Sequence, residues 1–200
     1  MSQKENLKES RKRQILDAAS NVFSKKGFHD ARMDDIVKQS GLSKGTIYWY
    51  FKSKDEIITC ILDDIFAIEF THLKHLLYSD MSARERIKKF AKIALADVEN
   101  YSINAPIIYE FISTASRESS VKKTLKRYMR SFMEILEPIV QQGINDGEFQ
   151  NIDPQETAIA IGAVIEGIFL LWIYDSETID LAIHMETSID LLLSGIVQPG

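Results

Sequence analysis

The sequence predicts an all-α protein in which a small basic helical unit precedes a larger helical bundle, with about nine helices in total. Apolar residues recur at helical spacing throughout the chain, and strand-like alternation of useful length does not occur. Helix-capping patterns, such as Ser82 three positions before Glu85, mark several helix starts. The chain has 200 residues, of which 45% are hydrophobic and 26% charged, a globular composition that excludes collagen-like and wholly disordered proteins.

Three helices are predicted in the first 51 residues. Gly27 can end the first helix and Gly41 the second, because glycine readily adopts the left-handed conformation that often follows a helix. Ser43 can cap the third helix, which continues through Phe51. The apolar positions of the first two helices are Ile15, Ala19, Val22, Phe23, Met33, Ile36 and Val37.

Six further helices complete the predicted bundle. They are a long apolar helix opened by Ser53 and Glu56, a helix from Ser82 to about Asn100, a helix starting at Asn104 and Pro106, a helix over about Ser120–Asn145, a helix capped by Asp153 with Pro154 as its first residue, and a helix over about Glu177–Ile196. Pro138 lacks a backbone N–H donor and should kink or divide the helix that contains it.

Charge is distributed unevenly along the chain. Residues 1–54 carry 12 Lys and Arg against 6 Asp and Glu, whereas residues 55–200 carry 12 against 23, which gives the whole chain a formal net charge of −5. A basic first quarter indicates a module for an anionic surface, and the acidic remainder indicates a second task. An ordinary fluctuation in surface charge would give the same totals. The predicted domain boundary lies after residue 54.

The composition predicts a soluble cytoplasmic protein. The N-terminus is polar and charged, unlike a signal peptide. The longest apolar stretch, residues 158–173, is shorter than the roughly 20 residues of a membrane span and contains Glu166, so a buried helix explains it better. The single cysteine, Cys60, excludes an internal disulfide framework and is expected to be a buried small residue with no nearby partner.

Residues 27–57 have the spacing of a helix-turn-helix, with Gly41 at the turn. The third helix would present cationic, hydroxyl and aromatic side chains to base edges, thymine methyl groups and sugars in the major groove of DNA. Four consecutive aromatic residues span more than one helical turn, so only Phe51 and one edge of the tyrosines are expected in the core. The predicted contacts on this helix are Ser43, Lys44, Gly45, Thr46, Tyr48, Trp49 and Tyr50.

Two lysines follow the predicted recognition helix. Lys52 and Lys54 lie beside the capped N-terminus of the next helix. A helix N-terminus together with a lysine can anchor a phosphate group. Lys54 is therefore a predicted contact to the DNA backbone.

A resemblance to the TetR family of transcriptional regulators is carried by three segments: RQILDAASNVFSKKGF (13–28), GLSKGTIYWYF (41–51) and KSKDEI (52–57). It implies a homodimer that binds a palindromic operator, usually as a repressor that a small ligand releases. The resemblance also assigns Lys54 to backbone anchoring. The family often opens the second helix with two small hydroxyl residues, where this chain has Ala31 and Arg32. Arg32 can contact phosphate through its charge, and Asp30 or His29 can supply the missing cap.

A dimer is also expected on physical grounds, because one recognition helix makes too few contacts for specific binding at cellular salt. The helix after Asp153 is apolar on nearly every side, so it can serve both the core and a partner. In the family the two final helices form a four-helix interface with their copies. The predicted interface residues are Gly162, Ala163, Gly167, Leu171, Ile189, Leu192, Leu193 and Ile196.

The acidic bundle is expected to enclose an apolar or aromatic effector of unknown identity. Glu166 lies within an apolar stretch and needs a partner, which could be a cationic ligand or a residue across the dimer. The predicted lining residues are Phe66, Phe70, Tyr101, Ile108, Tyr109, Phe111, Ile112, Tyr128, Phe132, Glu166 and Phe169.

No cofactor, metal site, membrane contact or enzymatic centre is predicted. His72 and His75 are three residues apart, but the sequence provides no third metal ligand near them. No nucleophile and base pattern or phosphate-binding glycine loop occurs. The alternatives are a helical-bundle enzyme or small-molecule-binding protein without specific DNA binding, and a regulator with a filled core and no effector.

Overall fold

A computed structural model of the chain describes residues 3–101, 115 and 119–198, and over these residues the fold is all-α. The elements are α1 (Gln3–Asp30), α2 (Met33–Ser40), α3 (Lys44–Tyr50), α4 (Lys54–Lys74), a 3-10 helix (His75–Tyr78), α5 (Ala83–Tyr101), α6 (Ser119–Asn145), α7 (Pro154–Tyr174) and α8 (Leu181–Ile196). The predicted fold class is confirmed. The helix predicted at Asn104 and Pro106 lies outside the described residues.

The chain forms two compact units. The first contains α1, α2, α3, the part of α4 up to Phe66 and the part of α6 up to Lys126. The second contains the rest of α4 and α6 together with the 3-10 helix, α5, α7 and α8. Helices α4 and α6 thus contribute residues to both units.

The core of the first unit consists of buried apolar residues at helical spacing on α1 together with buried apolar residues of α2, α3 and α4. Gly27 interrupts α1, as predicted, because its φ of 74° is not helical. Glycine adopts this left-handed φ at little steric cost. The buried apolar side chains of the unit include Ile15, Leu16, Val22, Phe23, Phe28, Ile36, Ile47, Phe51, Ile57, Ile58, Ile61 and Leu62.

The start of α2 differs from the prediction. Neither Asp30 nor His29 caps this helix; Arg32 occupies the N-cap position, and its backbone N–H donates to the Asp35 carboxylate at 3.0 Å. An acidic side chain at the third helical position can thus accept a hydrogen bond from the backbone N–H of the N-cap residue, even when that residue has no hydroxyl group. The helix ends at Gly41, whose φ of 68° matches the predicted left-handed turn.

The second unit has its own apolar core, to which α5, α6, α7 and α8 each contribute. Two helix starts match the sequence: Ser82 and Glu85 bond reciprocally before α5, and the Asp153 carboxylate accepts from the Glu156 N–H at 2.9 Å before α7. The buried apolar residues are Leu73, Leu76, Ala83, Ile87, Phe90, Ala91, Ile135, Leu136, Ile139, Val140, Phe149, Ala158, Ile161, Met185, Ile189 and Leu193.

Pro138 does not divide α6, which continues to Asn145, so of the two predicted effects only a kink remains open. One predicted helix boundary in this unit needs correction. Helix α8 begins at Leu181 rather than near Glu177, because Asp175 closes a separate turn by accepting from the Thr178 N–H at 3.1 Å. Asp180 then caps α8 by accepting from the Ile183 N–H at 2.9 Å.

Helix α7 is longer and less buried than the sequence indicated. It has 21 residues, so by length and composition alone it could cross a membrane, and only 17% of its most apolar window is buried within the chain. The prediction of a buried helix is therefore wrong for much of its surface. An apolar face this large in a folded chain requires a partner.

Candidate nucleic-acid interface

Helix α3 is fixed at both ends, so its outer face is a rigid surface. The Ser43 hydroxyl accepts from the Thr46 N–H at 3.1 Å and lies 2.8 Å from the Thr46 hydroxyl, which confirms the predicted cap. Ile47 and Phe51 are buried and anchor the helix in the core. Ser43, Lys44 and Gly45 remain exposed at the start of the helix.

The aromatic run divides between core and solvent as expected. Phe51 is buried and Tyr50 half-buried, whereas Trp49 is 63% exposed and Tyr48 lies at the surface. The rings of Trp49 and Tyr50 meet edge to face at 4.6 Å, and the Lys8 ammonium lies 5.5 Å from the Trp49 ring centre. These contacts hold an apolar and cationic surface in place before any partner binds.

Lys44 has an acidic partner at this surface. Its ammonium donates to the Asp34 carboxylate at 2.7 Å and lies 6.0 Å from the Tyr48 ring centre. The hydrogen bond with Asp34 raises the pKa of Lys44, so the side chain stays protonated. Both partners are exposed, and a phosphate or base edge can therefore replace the carboxylate at little cost.

We expect Asp34→Asn to strengthen binding to random duplex DNA by about two- to fivefold, because it removes one negative charge and frees Lys44. The matched control is Asp30→Asn, an exposed carboxylate with the same change of net charge. Fluorescence anisotropy across a salt series measures both variants. Equal gains in the two variants would show that net charge, and not the release of Lys44, controls the affinity.

Lys54 has hydrogen-bond partners that the sequence did not indicate. Its ammonium donates to the backbone carbonyls of Phe28, His29 and Ala31 at 2.7, 2.9 and 3.2 Å, and lies over the Phe28 ring. A lysine has three N–H donors, so none is left for a phosphate group. In this structure Lys54 ties the start of α4 to the chain that follows Gly27, so a contact with DNA would first have to break these hydrogen bonds. Arg32, in contrast, is exposed.

Cys60 also differs from the prediction, because it has a neighbour. The thiol is half-buried and lies near the Lys12 ammonium. Burial raises the pKa of the thiol despite the opposing effect of Lys12, so the reactive thiolate is disfavoured. No group of three potential metal ligands occurs in the described ranges.

The predicted interface residues separate into two groups. Gly162, Ile189 and Leu193 are buried within the chain, which leaves them little surface for a partner. Ala163 and Leu171 are exposed, the latter by 48%, and the remaining predicted residues Gly167, Leu192 and Ile196 are half-buried.

The sequence reading missed other members of the outward apolar faces. On α7 the spacing of four, three, four and four residues places one stripe along a single side of the helix. The stripe consists of Ile159, Ala163, Glu166, Leu170 and Tyr174. Ile183 and Leu191 are the exposed large apolar residues of α8. A helical projection would have separated this face from the buried one.

Three of the predicted effector residues lie together in the second unit. The Phe132 ring lies 5.1 Å from Phe70 and 4.4 Å from Tyr128, and Phe90 adds a fourth ring at 5.5 Å from Phe132. We call these four residues the aromatic cluster. Phe169 lies half-buried and stacks on Trp172 at 6.1 Å.

Other predicted effector residues have different outcomes. Glu166 is on the outer stripe of α7, and loss of solvation raises the pKa of its carboxyl group. The side chains of Phe66 and Tyr101 and all of Ile108, Tyr109, Phe111 and Ile112 lie outside the described residues.

Two family models match the chain. Residues 15–59 match the model described as bacterial regulatory proteins, tetR family, which covers α2, α3 and most of α1. Residues 73–198 match the model described as QacR-like protein, C-terminal region. Together the two models account for nearly the whole chain.

Curated proteins and solved structures are similar over most of their length. The uncharacterized HTH-type transcriptional regulator YfiR of Bacillus subtilis is 32% identical over 159 residues, covering 75% of this chain and 73% of that protein. The fatty acid metabolism regulator protein of Bacillus subtilis is 25% identical over 92% of this chain and 94% of its own. A crystal structure of the regulator FadR from Bacillus subtilis with stearoyl-CoA has a TM-score of 0.79 at 24% identity, covering 92% and 98% of the two chains.

Proposed function

Because the chain belongs to the TetR family of bacterial transcriptional regulators, we propose that it binds a palindromic operator as a homodimer and is released by a small ligand. Members of this family are transcription factors and not enzymes, so the enzymatic alternative is set aside. The C-terminal region is the family's ligand-binding part. Binding to chromosomal DNA places the proposed function in the cytoplasm.

The outer surface of α3 is the observation that carries the proposed DNA contact. A capped, core-anchored helix after a glycine turn exposes Lys44, Gly45, Tyr48 and Trp49. A lysine can donate to guanine, and aromatic faces can contact thymine methyl groups and sugars in the major groove. Ser43, Thr46, Tyr50 and Arg32 complete the proposed contact set, from which Lys54 is omitted.

Footprinting of the DNA upstream of the gene first identifies an operator. Fluorescence anisotropy then measures the affinity of the protein for that operator. Lys44→Ala and Tyr48→Ala are each expected to weaken operator binding by about 5- to 150-fold, since a base contact contributes about 1–3 kcal/mol. Binding to random DNA should change much less.

The matched controls for these variants are Lys122→Ala and Tyr78→Ala, which replace exposed residues of the same types outside α3. Both controls should bind the operator as the wild type does. Unchanged operator affinity in the Lys44 and Tyr48 variants would exclude α3 as the recognition helix.

A second copy of the chain is the proposed partner of the exposed apolar faces of α7 and α8. Close approach of two helices is easiest where small residues lie outward, as Ala160 and Ala163 do. An obligate interface of this kind buries on the order of 2,000 Å² or more. A two-fold dimer also presents two copies of α3, as a palindromic operator requires.

The proposed effector is an apolar or aromatic small molecule that binds the second unit beside the aromatic cluster. The relative crystallised with stearoyl-CoA supports a ligand with a large apolar portion. Helix α4 contributes residues to both units and is the proposed route of the signal. A coupling of about 1–3 kcal/mol would change operator affinity by about 5- to 150-fold.

Dimerisation is expected to strengthen as pH falls from about 8 to about 5. Desolvation raises the pKa of Glu166, so its carboxyl group stays neutral to a higher pH than that of a free glutamate, and a second copy over α7 would remove more water from it. The dimer then takes up protons, and its stability is lost as pH rises through the raised pKa. Sedimentation equilibrium over this pH range measures the dissociation constant.

Glu166→Gln should remove this pH dependence and tighten the dimer near neutral pH, since the amide is neutral at every pH. Glu186→Gln, an exposed position on α8, is the control. A weaker dimer in Glu166→Gln would mean that the carboxylate instead pairs with a cation across the interface.

A further inference from the structure

Arg86 is a buried cation with no counter-charge in the described part of the chain. It lies on α5 and is only 2% exposed, which makes it the largest fully buried side chain there. Its Nε has no hydrogen-bond partner, and no ion pair between described residues includes its guanidinium group. Most buried polar groups are bonded, so an unpaired guanidinium calls for an explanation.

The neighbouring charges on α5 do not provide one. Arg84 and Lys88 lie two residues to either side of Arg86, and both pair with Asp190 of α8, at 3.7 and 2.5 Å. Arg86 instead shares its side of the helix with the buried residues Ala83, Ile87 and Phe90. Unlike a buried carboxylic acid, an arginine cannot become neutral by exchanging a proton, so its charge remains in apolar surroundings.

The aromatic cluster lies one helical turn from this charge. Phe90 follows Arg86 by four residues, so the two side chains project from the same face of α5. The Phe90 ring contacts Phe132, which in turn contacts Phe70 and Tyr128. A guanidinium group and an apolar surface at this spacing match a molecule with an anionic head and a hydrophobic body.

We propose that Arg86 binds the anionic head of the effector, a carboxylate or a phosphate monoester, while the apolar or aromatic body packs against the aromatic cluster. The proposal rests on the proposed function only in taking the second unit to bind a small ligand. The bound anion supplies the counter-charge that no described residue provides, so the ligand-bound form is the more stable one. A neutral molecule of the same shape leaves the guanidinium unpaired and binds more weakly.

The test uses three probes that share a phenylbutyl body and differ in their head groups: 4-phenylbutyrate, 4-phenylbutyl phosphate and the neutral 4-phenylbutan-1-ol. Thermal unfolding and isothermal titration calorimetry of the full-length protein measure binding. At ten times its Kd, at least one anionic probe is expected to raise Tm by about 3–6 °C, whereas the alcohol at the same concentration has a smaller effect. The stronger of the two anions identifies the head group as carboxylate or phosphate.

Arg86→Met keeps the length of the side chain and removes its charge. It should raise the Tm of the free protein, since an unpaired buried charge is removed, and should abolish the preference for the anionic probes. Arg86→Lys keeps the charge and should retain part of the preference. Arg84→Met is the control, because it removes an exposed cation that is already paired with Asp190.

Four results would overturn the proposal. They are no Tm shift with either anion, equal binding of the alcohol, an intact anion preference in Arg86→Met, and a lower Tm of free Arg86→Met, which would assign the guanidinium group a structural role. Operator binding of the wild type is measured in parallel. If the wild type binds no operator, the proposed regulator is rejected, but the probe titrations can still be interpreted. If it binds an operator but shows no preference for the anionic probes, only the role of Arg86 is rejected.

Discussion

Replacing Ala163 by arginine is expected to convert the proposed dimer into a monomer and to lower operator affinity by about 100-fold or more. Ala163 lies at the centre of the exposed stripe of α7, between Ile159 and Glu166. A guanidinium group at this point would have to lose its water inside an apolar interface, which costs several kcal/mol without a partner. Separate protomers would each present one α3 to the operator, and the gain from binding two half-sites would be lost.

Sedimentation equilibrium and anisotropy on the same samples measure mass and operator affinity together. Gln142→Arg is the control, because it adds the same charge at an exposed position of α6. If Ala163→Arg remains a dimer, the stripe on α7 is not the interface. If the wild type instead floats with phosphatidylcholine and phosphatidylglycerol vesicles and the variant does not, lipid rather than a second copy covers α7.

Gly143→Ala is expected to lower the free energy of unfolding by about 1–3 kcal/mol, the usual cost of overfilling a packed core. A Cβ atom on Gly143 would lie 2.8 Å from the Ala83 Cβ and even closer to the Phe149 ring. Alanine normally favours a helix over glycine, so the clash must outweigh a helix-propensity gain of about 1 kcal/mol. Urea denaturation at one fixed protein concentration measures the loss, since the stability of a dimer depends on concentration.

Gly195→Ala is the paired control, because Gly195 is also within a helix but has nothing within 4 Å of the position of its Cβ. It should stabilise the protein slightly. Adding Phe149→Leu to Gly143→Ala should restore part of the lost stability by removing the colliding ring atoms. Two glycine variants with the same effect would contradict the close packing between α6 and the residues around it.

The fold was largely predictable because its signals are local. Capping residues such as Ser43 and Asp153 and glycines such as Gly41 set helix ends through contacts only a few residues long. The errors lie where another local contact competes. Asp175 and Asp180 are both good caps, and the sequence could not tell that the first one closes a turn and that the second one opens α8.

The candidate site was predicted less completely, because its electrostatics depend on residues distant in sequence. Asp34 reaches Lys44 across ten positions, and Lys54 reaches carbonyls at least 23 positions away, so neither pairing leaves a pattern in the sequence. The same holds for Arg86, which is an ordinary surface cation by sequence and becomes exceptional only through its burial. The apolar residues of the sequence predicted α7 but did not indicate which side of this helix is exposed to solvent.

The ion pair between Lys44 and Asp34 also bears on how a regulator searches a genome. Roughly a million or more competing positions surround each true target, and every one of them offers the same phosphates. If Lys44 contacts DNA as proposed, its bond to Asp34 competes with each nonspecific phosphate contact and shortens the time spent at wrong positions. The regulator would thereby scan the genome faster, and it would bind its true target somewhat less tightly.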